Sequence, residues 1–349
     1  MKTFKIVIFT VILFLSIIGA SVVIVDPYFH YHKPLKNINY NMTNKLQRYM
    51  NDGIIKKFNY NAVITGTSMT ENFKSSQFDK IFGTNSIKIP FSGGSYKEID
   101  DNIEKTLKYN QNMRVVFKGV DYGSILSKSE NMAYESYPDY LYDDNIFNDY
   151  RYILSKNAFL QVIFNIYESF KNKSFKIDFD RYSSWEYGFG KEKVLGQYKR
   201  IKKIDEKNLL TEEEKKIINK NMKNNILDLP KKYPNIKFIY FITPYSIIYW
   251  DSLNQKSEIE KQIMAEKYMI EKILEFPNIE LYSFFNNYEL ICDLDNYKDP
   301  NHYIGKVNEN ILEWISKKKY LLTKDNYREY INKNLEFYKN YDYDKIFVK

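Results

Sequence analysis

Ala62-Val63-Ile64-Thr65-Gly66-Thr67-Ser68-Met69-Thr70-Glu71-Asn72 joins an apolar, partly β-branched run to a glycine and then to a hydroxyl. β-Branched residues fit a pleated, buried strand, and a glycine at its end permits a sharp turn. The spacing predicts a strand over 62–65 and a helix after Ser68. A serine on such a turn has two advantages. Its Oγ projects from the carboxyl end of the sheet, and its N–H lies at a helix start, where developing negative charge is stabilised.

Working outward, strands and helices alternate. Further strands are expected over 86–91, 113–120, 236–243 (ended by Pro244) and 279–285. Helices are expected over 96–109 with Ser95 as N-cap, and over 210–233 with Thr211 and Glu214 as a capping box. Others are expected over 257–276 and 303–318, with some helix near 158–170. This rhythm predicts an α/β fold, a parallel sheet with helices on both faces, hence a three-layer sandwich. Ligands on such sheets lie at the carboxyl ends of the strands, where Ser68, Ser92-Gly93-Gly94, Asp121 and Thr243 fall. The rhythm breaks over about 123–203, a mix of aromatics, acids and glycines read as an inserted cap over that end. Trp185 and nearby tyrosines in it either stack on sugar rings or pack the insertion. The tail, 321–349, reads as helical around 323–338.

The N-terminus is equally informative. Lys2 and Lys5 precede an uncharged run, 6–25, of twenty residues, the length that crosses ~30 Å of hydrocarbon. The flanking lysines keep the N-terminus cytoplasmic and place the body outside. A cleaved signal peptide is the rival reading, but its apolar region spans only about 7–15 residues. The expected organisation is a stub and transmembrane anchor (1–25), a juxtamembrane segment (26–57), an α/β domain (58–320) with its insertion, and the tail. Asp26, His30 and His32 in the juxtamembrane segment are metal-capable residue types, but the chain has only three histidines and a structural role is the simpler reading.

Composition narrows the classes. The formal charge is +8, yet the lysines are scattered and no recognition motif for nucleic acid is present. Basic character fits an anionic lipid or wall polymer better. The 33 tyrosines suit sugar rings and membrane interfaces, or reflect a Lys/Asn/Ile/Tyr-rich compositional bias. The single cysteine, Cys292, excludes an intrachain disulfide framework. No cofactor is called for: Ser92-Gly93-Gly94-Ser95 lacks the Gly-Lys-[Ser/Thr] of a phosphate loop, and only His302 accompanies Ser68 as a ligand type, so no metal is expected.

Near the far end stands Asp299-Pro300-Asn301-His302, a spacing that sets a carboxylate and an imidazole on one short turn. With Ser68 it makes a nucleophile, a general base and an orienting acid. These segments resemble the SGNH/GDSL hydrolase superfamily. Gly66-Thr67-Ser68-Met69 matches its nucleophile block, Gly93 its glycine block and Asp299-x-x-His302 its final block. More narrowly, the anchor with these motifs resembles the DltD-like and polysaccharide O-acetylation branches, which act outside the membrane on wall or capsule polymers, often beside a membrane-bound O-acyltransferase. The resemblance spans roughly 58–320. It implies a serine esterase or acyltransferase with Ser68, His302 and Asp299 as the triad, and Gly93 and Gly94 beside the oxyanion.

Two departures stand out. Thr67 replaces the usual aspartate before the nucleophile. The block expected to carry an oxyanion asparagine reads Lys118-Gly119-Val120-Asp121-Tyr122, with Asp121 and no asparagine. That leaves the N–H groups of Ser68 and Gly93 as the expected oxyanion donors, and one missing donor costs ~2.7–4 kcal/mol of transition-state stabilisation. It also keeps two rivals open, a non-catalytic accessory positioning polymer for an acyltransferase and a tyrosine-rich glycan-binding surface module.

Overall fold

The structure is a computed structural model that describes residues 1–132, 137–173, 177–204, 206 and 208–348. Of the predicted insertion, 133–136 and 174–176 lie outside the described residues, as does residue 349 of the tail. The chain divides into two compact units, Met1–Asn59 with Tyr134–Ser183, and Tyr60–Ala133 with Ser184–Lys349. The segment read as one insertion over 123–203 is thus divided. Its middle belongs with the N-terminal residues, and its ends belong with the sheet.

The second unit is α/β. Its sheet has six strands, β1 (Ala62–Gly66), β2 (Ser86–Pro90), β3 (Val115–Val120), β4 (Lys237–Ile242), β5 (Ile279–Ser283) and β6 (Leu321–Leu322), in the order β2-β1-β3-β4-β5-β6. β1 to β5 are parallel and β6 runs antiparallel to β5. Every residue of β1, β2 and β3 is buried, the pattern of strands covered on both faces. From β1 the chain steps to β2 on one side, then returns to β3 on the other. Connections leave the carboxyl ends of β1 and β3 in opposite directions there, opening a crevice in which sheets of this kind hold their ligands.

Helices Ser75–Phe82, Tyr96–Tyr109, Ile259–Ile273 and Gly305–Ser316 occupy the connections. Ser95 Oγ caps the second of these, accepting the Glu98 N–H at 3.1 Å. The helix expected over 210–233 is broken into Glu212–Met222, a π-helical turn Lys223–Leu227 and Asp228–Lys232. Its capping box forms, with Thr211 and Glu214 bonded reciprocally. The π turn has a physical reason. Lys118 projects from β3 fully buried, and its ammonium donates to the Asn225 carbonyl at 2.7 Å and faces Asp100 Oδ1 at 3.4 Å. A buried ammonium needs acceptors, and a widened turn supplies a carbonyl to it. Elements not foreseen include the helix Ile247–Gln255 after Pro244, the short helices Lys191–Gln197 and Tyr288–Cys292, and β6, which at two residues has no readable period.

The first unit carries the helix Lys2–Val25 at its start, with only Gly19, Val22 and Val25 buried. It is long and apolar enough to cross a membrane. Asp26 ends it in the left-handed region (φ 47°). The Asp26 carboxylate accepts the N–H groups of His30, Tyr31 and His32 at 2.9, 2.7 and 2.9 Å and the Tyr152 hydroxyl at 2.8 Å. Asp26 thus ties up the backbone beside His30 and His32. Among the described residues no cluster of histidine, cysteine, aspartate or glutamate is arranged to hold a metal.

Candidate active site

Ser68 follows β1 by a turn that only glycine fits. Gly66 has φ 148°, and a Cβ there would lie 2.6 Å from Thr70 Cγ2 and 3.2 Å from Gly119 N. The α-helix expected directly after Ser68 is instead a single 3-10 turn, Ser68–Thr70, capped by Thr67; the α-helix begins only at Ser75. The buried Lys88 of β2 explains the break. Its ammonium takes the Glu71 and Phe73 carbonyls at 2.6 and 2.9 Å, acceptors that a continuing helix would need. So short a turn has little macrodipole, and the Ser68 N–H itself is what remains to meet an anion.

The far segment is built as a small hairpin. Tyr297 and Tyr303 form an antiparallel bridge, and the Lys298 N–H donates to the His302 carbonyl at 2.8 Å. Within it, Asp299 Oδ1 accepts the N–H groups of Asn301 and His302, both at 2.9 Å. The same carboxylate meets His302 Nδ1 at 2.8 Å through Oδ2. On the other side of the ring, His302 Nε2 lies 2.8 Å from Ser68 Oγ. Three residues separated by up to 234 positions therefore form one unbroken hydrogen-bonded line.

Sequence reasoning missed the residues that hold this line together. Ser246, the N-cap of the unforeseen helix, donates both its N–H and its Oγ–H to the Pro300 carbonyl, each at 2.9 Å. Asn308 Nδ2 and the Tyr303 hydroxyl donate to the Met69 carbonyl at 3.0 and 3.3 Å. The Ser68 turn is thus pinned by side chains from the far end of the chain, and the His302 hairpin by the cap of the helix that follows β4. Ser246 had a readable signal, a serine immediately before an apolar stretch, Ile247-Ile248-Tyr249-Trp250.

The glycine turn lies beside β1, where the Phe91 N–H donates to the Gly66 carbonyl at 2.8 Å. The Gly94 N–H is committed to the Phe91 carbonyl at 2.7 Å. Gly94 is closed to a side chain, because a Cβ would sit 2.8 Å from that carbonyl oxygen. Gly93, exposed with φ 62°, bonds to none of the described residues through its N–H, and neither does the N–H of Ser68.

Asp121, at the end of β3, is buried. Its Oδ1 accepts from Thr243 Oγ1 at 3.0 Å and the Tyr245 hydroxyl at 2.8 Å. It bonds to neither Ser68 nor His302. Burial pushes its carboxyl up; the hydroxyls of Thr67, Tyr245 and Thr243 and the nearby His302 pull the other way without cancelling it. At Asp299 partial burial also pushes upward, but the His302 hydrogen bond and charge, with the two backbone donors, win, and the carboxyl lies below its ordinary range.

Trp185 stands edge-on to the His302 imidazole, ring centroids 5.6 Å apart at 76°. Its N–H donates to Glu71 Oε2, Phe189 lies nearly parallel to it, and the Lys298 ammonium sits 4.7 Å from its centroid and 4.4 Å from that of Tyr187. The aromatic cluster therefore flanks the imidazole and carries a cation. Comparisons of the chain with known protein families, with curated proteins and with solved structures found no match.

Proposed function

We propose that the chain is a membrane-anchored serine ester hydrolase or O-acyltransferase of the SGNH type, with its α/β unit outside the membrane, acting on acyl esters of a cell-wall or capsular glycan. The observation that carries the chemistry is the line Ser68 Oγ–His302 Nε2–His302 Nδ1–Asp299, with a 2.8 Å contact at each step. With the Nδ1 proton held on Asp299, Nε2 takes the hydroxyl proton as Ser68 Oγ attacks the ester carbonyl. The N–H groups of Ser68 and Gly93 face the resulting oxyanion. The imidazolium, stabilised by Asp299, returns the proton to the departing alkoxide, leaving an acyl-serine. Water or a glycan hydroxyl, deprotonated by His302, then takes the acyl group. Asp121 acts through the Thr67 turn rather than on substrate. Trp185 holds the ring of His302 and, with Tyr187 and Lys298, offers an aromatic, cationic border suited to an anionic glycan. No cofactor enters the scheme. The polymer is the partner in this reading, with a membrane-bound O-acyltransferase as a second.

The test is covalent. A fluorophosphonate should label the purified chain at Ser68, and Ser68→Ala should lose both the label and turnover of an activated acetyl ester while its circular dichroism stays unchanged. An unlabelled wild-type Ser68, with glycan binding retained in Ser68→Ala, returns the protein to the accessory or binding class, which the missing asparagine at the Asp121 block favours.

A further inference from the structure

The helix Lys156–Lys171 in the first unit is built inside out. Its inward stripe is Ala158, Val162 and Asn165, joined by Ser169. Asn165 Oδ1 accepts the Asn41 N–H at 3.0 Å and Gln161 Nε2 at 2.9 Å, and Ser169 Oγ accepts the Asn39 N–H at 2.7 Å. Its outward stripe is Leu160, Ile163, Phe164, Tyr167 and Phe170, all exposed, Phe170 by 83%. At 100° per residue these five fall within a sector of about 120°. A helix facing water carries the opposite pattern. The patch continues into the preceding turn, where Phe147 is 86% exposed; contiguous exposed apolar side chains of this kind mark an interaction face.

What covers it follows from its neighbour. The apolar helix Lys2–Val25 packs on Tyr150–Ile153 and on Lys156–Lys171. The contact is close at Gly19, where a Cβ would lie 2.9 Å from Ile153 and 3.9 Å from Leu154. The joint is fixed, because Asp26 at the helix end is bonded to the Tyr152 hydroxyl. If the membrane boundary lies at Val25, Gly19 is six residues inside it, or ~9 Å at 1.5 Å per residue. That depth matches the ~5–10 Å to which interfacial helices sink. Exposed Lys156 and Lys171 close the two ends of the apolar stripe, as headgroup contacts require.

We infer that Lys156–Lys171, with the turn at Phe147, is a second membrane element that lies in the bilayer interface beside the anchor. Its occupant is phospholipid. The inference rests on reading Lys2–Val25 as membrane-embedded, and it adds that the first unit is held against the surface rather than swinging on a tether.

The test uses the full chain in phosphatidylcholine–phosphatidylglycerol vesicles, with Cys292→Ser and one environment-sensitive fluorophore on Phe9→Cys, Ile163→Cys, Phe170→Cys or Lys216→Cys. Lipids carry a spin label near the headgroup or deep in the chain. The expected result is strong quenching of the Phe9 site by the deep label, loss of most emission at the 163 and 170 sites with the shallow label, and no loss at 216. Quenching at 9 with none at 163 and 170 overturns the interfacial helix and leaves the anchor standing. Quenching at 163 and 170 without 9 retains the surface and removes the anchor. Quenching at neither site overturns both. Crosslinking at 163 to a second copy in place of lipid quenching also overturns it.

Discussion

Asp299 uses one carboxylate for two tasks. Oδ1 folds the backbone of its own turn through the Asn301 and His302 N–H groups, while Oδ2 fixes the imidazole. An amide at this position keeps the size but loses the charge and the correct partner for an Nδ1–H, so Asp299→Asn should lower kcat on an activated ester by about 10⁴-fold with the fold retained. A loss of tenfold or less, measured by steady-state kinetics, would remove Asp299 from the relay. The depressed carboxyl also stabilises the fold above its ordinary range, and that contribution disappears as pH falls through its lowered native value. At this scale the sequence was legible where chemistry demands a residue type: Ser68, Asp299 and His302 could be picked out by spacing. Asn308 and Tyr303 could not, because they act by reaching the backbone carbonyl of Met69, and any donor of suitable length would look the same in a sequence.

Among the elements, the tail helix Tyr327–Asn340 shows how a buried acid can clasp three pieces. Glu266, on Ile259–Ile273, is fully buried. Its Oε1 accepts the Tyr330 hydroxyl at 2.6 Å and Ser283 Oγ, from β5, at 3.3 Å. Burial pushes its carboxyl up to about 7, against the pull of those hydroxyls. The unfolded chain has a glutamate near ~4.3, so the native state binds the proton more tightly. The benefit is complete below the unfolded value and is lost as pH rises through about 7, by up to ~1.4 kcal/mol per pH unit between the two. Glu266→Gln keeps an acceptor oxygen and removes the titration. Thermal unfolding should show it gaining on the wild type from pH 5 to pH 8; parallel curves would mean that Glu266 is not the group responsible. Helix positions were legible from capping and period, as at Ser95 and Thr211. The 3-10 turn after Ser68 and the π turn at Lys223–Leu227 were not, because their cause lies in buried lysines on distant strands, Lys88 and Lys118.

At the scale of the whole molecule, the order of strands was partly legible, since alternation fixes a parallel sheet but not which neighbour each strand takes. The split of the 123–203 region between two units was hidden, because aromatic-rich segments without a period do not announce their partners. The long apolar helix Lys2–Val25 was the plainest feature, and the proposed anchor gives a direct expectation. Alkaline carbonate should leave the full chain in the membrane pellet, and protease added to intact cells should digest everything beyond the span; release by carbonate contradicts a spanning helix. The geometry of the sheet adds a matter of timing. β1 and β5 are separated by β3 and β4, about 14 Å at ~4.8 Å per strand, and Ser68 meets His302 only across 234 positions of chain. In a polypeptide threaded outward from its N-terminal side, the serine emerges long before its imidazole does. On the proposed reading, the alcohol stays an ordinary alcohol throughout that passage, and its pairing with His302 waits until the Asp299–His302 segment has been delivered and folded.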